Sequence, residues 1–166
     1  VINKEFSDYQ ALHLKAAGKM TRPHESFDFM RGLIKAGKAV LFTNKLDNKP
    51  LSSLYCDYYN NIARGWSQAN DKDYEKEYSP RHLTEWEAML YFKSKGIDYY
   101  ELGSQFTNGQ ISTLCNNKLL GIATFKERFG SNIYPEIHFE KYLDKNLFIS
   151  TFNQRINDFC ELNFKP

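Results

Sequence analysis

The residues best suited to chemistry include two cations in the segment 121–130, whose sequence is GIATFKERFG. Its spacing predicts a short helix with Phe125 and Phe129 on one face and a glycine at its end. Lys126 and Arg128 point to other faces, where a rigid helix could hold both cations near a pocket. The alternative is an ordinary amphipathic helix.

Two further candidates lie near the start of the chain. Pro23 biases Arg22 towards an extended backbone, and a guanidinium held there could bind a phosphate or carboxylate through two N–H groups. The alternative for Arg22 is an ordinary surface ion pair. His13 could act as a base, because an unperturbed imidazole titrates near neutral pH. The alternative is a structural histidine bonded to the linker 21–23.

Hydrophobic periodicity and breaker residues predict the elements that position these side chains. Helices are predicted over 5–17, 24–36, 80–95 and 121–129, and strands over 39–43, 51–59, 62–67, 97–102 and 133–139. The segment 146–162 is ambiguous, with helix favoured over strand. Ser79 is predicted to cap the third helix, whose buried face is predicted to contain Leu83, Trp86, Met89, Leu90 and Phe92.

The order of these elements predicts the fold class. A hairpin turn at 47–49 joins the first two strands, so the first three strands form an antiparallel meander. A crossover helix and a further strand follow. The prediction is therefore an α+β fold, with a mixed and mainly antiparallel sheet flanked by helices.

Length and composition indicate one folded domain over residues 1–166, with 16% aromatic residues. The 22 basic and 20 acidic residues leave no broad nucleic-acid footprint, and we expect no DNA partner. No apolar run reaches the roughly 18 residues that a membrane span needs. The cysteines Cys56, Cys115 and Cys160 match no zinc or redox spacing, so we predict no metal site, a core position for Cys56 and a cytoplasmic protein.

Four segments carry a resemblance to a known family: 13–23 (HLKAAGKMTRP), 79–88 (SPRHLTEWEA), 98–103 (DYYELG) and 121–130. In this order they resemble the second GNAT-like domain of FemAB-type proteins. That group includes the aminoacyl-tRNA-dependent peptidoglycan-bridge transferases and relatives found among bacterial surface-polysaccharide genes. The resemblance covers roughly residues 10–140 and implies a GNAT-like fold.

The sequence also departs from the family. The peptidoglycan-bridge enzymes carry two such domains and often a coiled-coil insertion that binds tRNA, whereas one domain and no such insertion are visible here. Since the chain begins at Val1, it fits the C-terminal half of a longer tandem-domain protein. The loop 69–78 contains no glycine, unlike the pyrophosphate loop of CoA-dependent GNAT enzymes, so ordinary acetyl-CoA binding is not expected from this loop.

The resemblance implies transfer of an acyl or aminoacyl group to an amine on a sugar or cell-envelope precursor. The donor would be acyl-CoA or aminoacyl-tRNA, with no tightly bound cofactor. Lys126 matches the family lysine placed near the donor acyl group, so it would stabilise an oxyanion or a phosphate, with Phe125 packed beneath it. Arg81 and His82 lie in the first helical turn after Ser79, where donor phosphates would bind free N–H groups.

The acceptor side is expected on the sheet. Glu101 lies where a GNAT fold opens its sheet, and it is a candidate base; its alternation with Tyr100 decides which of the two faces the cleft. Tyr55 and Asp57 share one face of the central strand and could contact the acceptor. The alternative for Glu101 is a half-exposed strand carboxylate without a catalytic role. The alternative for Tyr55 and Asp57 is a structural cross-strand pair.

A non-catalytic scaffold or acceptor-binding domain is the main alternative function, since tandem GNAT proteins often keep one half without activity. Such a module would work beside a second GNAT-like domain. A third interpretation is RNA binding, including tRNA, through a patch of Lys15, Lys19, Arg22, Lys126 and Arg128, although the net charge of +2 argues against it.

Overall fold

The computed structural model describes residues 2–107 and 111–164. The chain divides into two compact units, Val1–Gly103 and Ser104–Pro166. The first unit contains the sheet and four helices among its described residues, and the second contains two helices among its own. The prediction of one domain over 1–166 stays a prediction.

A four-stranded sheet in the order β1-β2-β3-β4 forms the centre of the first unit. Its strands are β1 (Ala39–Leu46), β2 (Lys49–Tyr59), β3 (Ile62–Asn70) and β4 (Tyr99–Glu101). The first three are antiparallel and β4 is parallel to β3. The two hairpin turns use Asp47–Asn48 and Asn60–Asn61, all at positive φ, the conformation that a two-residue hairpin turn requires and that Asn and Asp tolerate. The predicted mainly antiparallel sheet is confirmed.

Helices cover both faces of this sheet. They are α1 (Ile2–Ala17), α2 (His24–Lys35), the one-turn α3 (Glu75–Tyr78) and α4 (Pro80–Ser94). One core cluster joins α1 and α2 to the sheet through buried residues that include Phe6, Tyr9, Phe27, Met30 and Tyr55. The other joins α4 to the opposite face through Leu54, Cys56, Ala63, Ala88 and Phe92. The first unit is therefore a three-layer α+β sandwich, and Cys56 is a core residue as predicted.

The predicted buried face of α4 is correct at Phe92 and wrong at Leu83, Trp86 and Leu90. Leu83, Trp86 and Leu90 are 52%, 54% and 49% exposed, whereas Thr84, Glu85, Ala88 and Phe92 are buried. Polar bonds to the sheet set this rotation. Asn44 on β1 donates to the carbonyl of Pro80 and to Oγ1 of Thr84, at 3.2 and 2.8 Å. These bonds turn the polar Thr84 side of the helix inward, which periodicity of apolar residues alone does not reveal.

The start of α4 also differs from prediction. Ser79 precedes the helix, but it adopts a left-handed backbone with φ 43°, and its side chain makes no capping hydrogen bond among the described residues. A serine that caps a helix usually has an extended backbone instead. The segment between the predicted strand 62–67 and α4 is also more regular than expected, because β3 continues to Asn70 and α3 forms before α4.

The second unit contains α5 (Asn117–Glu127) and α6 (Lys145–Asn163). Asn116 and Asp144 cap these helices by accepting the N–H of Leu119 at 3.0 Å and of Leu147 at 2.8 Å. The helix favoured over 146–162 is confirmed. The fourth helix, predicted over 121–129, begins earlier and ends at Glu127, so Phe129 lies beyond it. The rings of Phe125 and Phe129 are nevertheless in contact, with centroids 5.2 Å apart, and Gly130 has φ 67°.

The strand predicted over 133–139 is wrong. This segment has no regular secondary structure, and its apolar side chains Ile133, Ile137 and Phe139 are 71%, 76% and 90% exposed. Pro135 lacks an N–H that a ladder would need. A segment with alternating apolar residues forms a strand only where a neighbouring strand is present to pair with it. No helix within residues 2–107 and 111–164 is both long and apolar enough to cross a bilayer.

A β-bulge interrupts the β2–β3 pairing. Cys56 pairs with Gly65 and Tyr55 pairs with Ser67, so Trp66 is an extra residue. Trp66 and Ser67 both contact the α1–α2 side of the sheet: the Trp66 ring lies 5.8 Å from that of Tyr55. The hydroxyl groups of Ser67 and Tyr9 are 2.7 Å apart.

We predict that Gly65→Ala destabilises the first unit. A Cβ at this position would lie 2.9 Å from the hydroxyl of Tyr100, whose hydrogen bond to Glu85 holds it in place. Relieving that overlap should cost about 1–3 kcal/mol in the free energy of unfolding, measured by urea titration. The matched control is Gly32→Ala within α2, where a Cβ meets no atom within 4 Å. It should stabilise by about 0.5–1 kcal/mol. Equal effects of the two substitutions would contradict the prediction.

Candidate functional site

The sheet opens next to the bulge. The β3–β4 register consists of Ile62 with Tyr99, Ala63 with Tyr100, and Arg64 with Glu101. β3 then continues to Asn70 and leads towards α4, whereas β4 ends at Glu101. Where a parallel neighbour ends, a strand presents N–H and C=O groups along that edge. An extended ligand can therefore bind this edge of β3 by adding as a strand.

A cavity of about 370 Å³ lies at the paired end of β3 and β4. Two carboxylates, those of Asp57 and Glu101, and two cations, those of Lys38 and Arg64, line it. Its remaining walls are formed by Leu33, Tyr58, Tyr59 and Ile62. All of these residues belong to the first unit. We refer to it as the β3–β4 cavity.

The strongest contact in this cavity joins Asp57 and Arg64. Nε and Nη2 of Arg64 donate to the two oxygens of Asp57 at 3.3 and 2.8 Å. These bonds, together with the nearby charge of Glu101, raise the pKa of Arg64. The pair was missed from sequence, although a signal existed. A two-residue turn at Asn60–Asn61 pairs Tyr59 with Ile62 and therefore places Asp57 opposite Arg64.

Alternation along β4 determines which side chain reaches the cavity. The Tyr100 hydroxyl donates to Oε2 of Glu85 at 2.6 Å and lies 3.6 Å from Sγ of Cys56. Tyr100 therefore faces α4, and burial raises its pKa. Glu101 lies on the other face, is exposed, and lines the β3–β4 cavity. Burial also raises the pKa of Cys56, so its thiol is protonated and does not act as a nucleophile at neutral pH.

Asp57 and Tyr55, which alternation places on one face of β2, have different surroundings. Asp57 lines the cavity, whereas Tyr55 is fully buried and donates its hydroxyl proton to the carbonyl of Met30 at 3.2 Å. The residues that line the cavity do not include Tyr55. Its contact with an acceptor stays a prediction.

Arg22 lies against the bulge. Its guanidinium carbon is 5.1 Å from the centroid of the Trp66 ring, a cation–π contact, and its Nη1 is 3.7 Å from Sδ of Met30. His13 on α1 packs against Tyr9 and Phe27, with ring centroids 5.9 and 5.6 Å away. Burial, and secondly the charge of Arg22, lower the pKa of His13, which favours the neutral imidazole at pH 7. The roles predicted for Arg22 and His13 stay predictions.

The loop between β3 and α4 is anchored by a buried carboxylate. Asp71 is 1% exposed, and Lys15 of α1 and Lys49 of β2 lie 2.7 and 3.2 Å from its oxygens. Lys15 also pairs with Asp73 at 2.7 Å. Burial alone would raise the pKa of Asp71, but the bonds from Lys15 and Lys49 outweigh it and hold the pKa at about 2. This network fixes the start of the loop.

The N-terminus of α4 carries the two residues predicted to bind donor phosphates, Arg81 and His82. Both are half-buried. Burial lowers the pKa of Arg81, and the charges of Glu85 and Glu75 oppose that effect. Glu75 and Glu77 place negative charge in the one-turn helix just before α4. That charge disfavours a phosphate nearby, so the predicted donor contacts stay predictions.

Lys126 belongs to the second unit. Its ammonium donates to the carbonyl of Ser104 at 2.6 Å and lies 5.6 Å from the ring centroid of Phe106. Phe125 is buried beside it on α5. The oxyanion role predicted for Lys126 stays a prediction. Among the residues described in both units, no group of three or more His, Cys, Asp or Glu side chains is arranged to hold a metal ion.

Residues 5–108 match a protein-family model described as "Acetyltransferase (GNAT) domain". Similar solved structures include an aminoglycoside acetyltransferase, meta-AAC0020, from an uncultured soil metagenomic sample in complex with sisomicin. It is 14% identical, with a TM-score of 0.58 over 86% of this chain and 90% of that one. The aminoglycoside antibiotic 6'-N-acetyltransferase AAC(6')-Ih from Acinetobacter baumannii is 13% identical, with a TM-score of 0.56 over 85% and 94% of the two chains. No curated protein matches the sequence.

We predict that Asp71→Asn destabilises the protein in a pH-dependent way. The folded-state pKa of about 2 lies below the usual carboxyl value of 3.8, so the charged form contributes stability above the unfolded pKa. The wild type should exceed Asp71→Asn in urea-unfolding free energy at pH 5–6. That difference should shrink as the pH falls from about 4 to 2. The control Asp73→Asn alters a side chain that is 70% exposed and should change little. A difference independent of pH would contradict the prediction.

Proposed function

This chain belongs to the GNAT acetyltransferase family, and from that premise we propose that it is an enzyme that transfers an acyl group from acyl-CoA to an amine. Acyl-CoA is the co-substrate of GNAT acetyltransferases. The observation that carries the proposal is the opening of the sheet after the Arg64–Glu101 pair, beside a cavity that contains exposed Glu101. The opening accommodates an extended donor, and the cavity accommodates an acceptor.

The donor is proposed to lie along the free edge of β3 beyond Arg64. Amide groups of its extended arm would pair with the strand backbone. Its phosphates are proposed to lie at the first turn of α4, where Arg81 and His82 are half-buried. Lys126 is proposed to stabilise an oxyanion or a donor phosphate, with Phe125 supporting it.

Glu101 is proposed to be the general base. It takes a proton from the acceptor ammonium, and the neutral nitrogen attacks the thioester carbonyl. A C–N bond forms, the C–S bond breaks, and the thiolate of CoA takes the proton that the attacking nitrogen loses. Asp57, which lines the cavity, is proposed to contact the acceptor, and Arg22 to bind an anionic group of a substrate. His13, which burial keeps neutral at pH 7, is the second candidate for the base.

We further propose that the acceptor amine is carried by a sugar or a cell-envelope precursor, in the cytoplasm. The FemAB-type segments support this, and so do structural neighbours described as aminoglycoside acetyltransferases. An aminoacyl-tRNA donor and a second GNAT-like domain remain proposals that rest on the FemAB resemblance alone.

A non-catalytic scaffold or acceptor-binding domain is the second candidate function. The observation that favours it is the glycine-free donor loop with Glu75 and Glu77 in its one-turn helix. Carboxylates there repel a pyrophosphate, and side chains hinder close approach of phosphates to the backbone.

We predict that acetyl-CoA raises the melting temperature and binds in calorimetry, because its extended arm can pair with the edge of β3 beyond Arg64. CoA should bind similarly, since it shares the arm and phosphates, whereas a non-hydrolysable aminoacyl-tRNA analogue should not bind. Binding by the tRNA analogue alone would shift the assignment to the peptidoglycan-bridge type. Absence of binding by all three would support the scaffold.

We also predict that Glu101→Gln lowers kcat at least about 100-fold in a CoA-release assay, because the amide cannot accept the acceptor proton. Lys126→Ala should likewise abolish transfer, and both variants should keep the wild-type circular dichroism spectrum. The matched controls are Glu87→Gln on the exposed face of α4 and Lys118→Ala on α5, which should retain full activity. A folded and fully active Glu101→Gln or Lys126→Ala enzyme would remove that residue from the proposed site.

A further inference from the structure

The charges that line the β3–β4 cavity have a sign pattern that restricts the acceptor. Asp57 and Glu101 are balanced by Lys38 and Arg64, so the cavity is close to neutral overall. A site for a polycationic amine would instead carry an excess of carboxylates. From this balance we infer that the acceptor is a small molecule or terminal group that carries an anionic group, carboxylate or phosphate, close to its amine. The inference rests on the proposed function, because it concerns the acceptor of that reaction.

Arg64 is the centre of the pattern. It is the register partner of Asp57 across β2 and of Glu101 across β4, so one cation lies between two carboxylates. Two of its N–H groups donate to Asp57. A guanidinium carries five N–H donors, so others can bind an anionic group of a ligand while the pair with Asp57 stays intact.

Lys38 supplies the second cation from a fixed backbone. Its N–H donates to the carbonyl of Leu33 at 2.9 Å, and its own carbonyl accepts the N–H of Tyr58 at 3.2 Å. Its side chain is exposed at the cavity wall. Because Asp57 is already paired with Arg64, the other two charges that a ligand meets at the cavity wall are those of Glu101 and Lys38. A ligand with both charges satisfies both side chains, whereas a simple amine meets Lys38 and Arg64 as repelling charges.

Size and wall chemistry agree with this substrate class. At about 370 Å³ the cavity is near the lower end of the usual range for small-molecule sites, roughly 300–1,000 Å³. Leu33 and Ile62 form an apolar wall between the charged groups. Arg64 and Glu101 are neighbours on paired strands, about 5 Å apart along the hydrogen-bonding direction. The amine and the anionic group of the acceptor are thus separated by a few bonds.

The test compares matched acceptors with acetyl-CoA as the donor. The pairs are 4-aminobutanoate with butylamine and 2-aminoethyl phosphate with ethylamine, and spermidine represents polycations. The anionic member of each pair should have a kcat/KM at least about 10-fold higher than its uncharged-tail partner, because one charge-assisted hydrogen bond provides a gain of this size. Lys38→Gln and Arg64→Gln should reduce that advantage mainly by raising KM, since both cations bind and do not react. The control Lys35→Gln, an exposed lysine of α2 outside the cavity, should preserve it.

The outcomes separate this inference from the proposed function. Transfer to amines with butylamine, ethylamine or spermidine preferred would overturn the inference and leave the proposed function standing. If every acceptor is inactive, the proposed reaction fails for these acceptors, and saturation-transfer NMR without a donor decides the binding claim. The inference is supported if 4-aminobutanoate gives stronger signals than butylamine and this difference is lost in Lys38→Gln. Equal signals from the two compounds would overturn it. Arg64→Lys should restore part of the preference lost in Arg64→Gln, because it keeps the charge.

Discussion

The β2–β3 bulge at Trp66 is the constraint on which the candidate site depends. A strand with regular alternation would place Gly65 and Ser67 on one face and Trp66 on the other. The extra residue instead lets both Trp66 and Ser67 contact the α1–α2 side, where they meet Tyr55 and Tyr9. Gly65 faces Tyr100 closely, in a space with no room for a Cβ. Bulges bend a strand and increase its twist. This one lies beside the last β3–β4 pair, where β3 continues beyond its partner.

This arrangement places two clusters of polar side chains on opposite faces of the sheet, and the two clusters have different roles. On the α4 face, Tyr100, Glu85 and Cys56 satisfy one another in a buried setting that holds the helix against the strands. On the α2 face, Asp57 and Arg64 pair within a cavity open to ligands, next to Glu101. On the three-residue strand β4, Tyr100 therefore contributes to stability, whereas its neighbour Glu101 contributes to the candidate chemistry.

Structures that are 13–14% identical share the fold at TM-scores of 0.56 and 0.58, and such likeness extends to the fold alone. Acceptor choice on a common fold is set by the side chains that line the site. The paired charges of the β3–β4 cavity are therefore the side chains on which our inference about the acceptor depends.

Much of the local structure could be predicted from the sequence. Spacing of apolar residues located α1, α2 and α4, and the helix over 146–162 was favoured correctly. Asp47–Asn48 identified the first hairpin turn, because two-residue turns need residues that tolerate positive φ. The candidate base Glu101 was also named, since the motif that contains it carries the family resemblance.

What the sequence determined by itself depends on interactions between residues a few positions apart, namely helix periodicity and hairpin turns. The turn at Asn60–Asn61 also fixes the pairing of Asp57 with Arg64, although that pair was not predicted. Only the tertiary structure decided the rest. It turned Thr84 of α4 inward through Asn44, paired 133–139 with no strand among the described residues, added Trp66 as a bulge, and aimed Glu101 rather than Tyr100 at the cavity. Each of these outcomes depends on whether a distant part of the chain supplies a partner. The register and burial that such a partner imposes leave no local signal in the residues concerned.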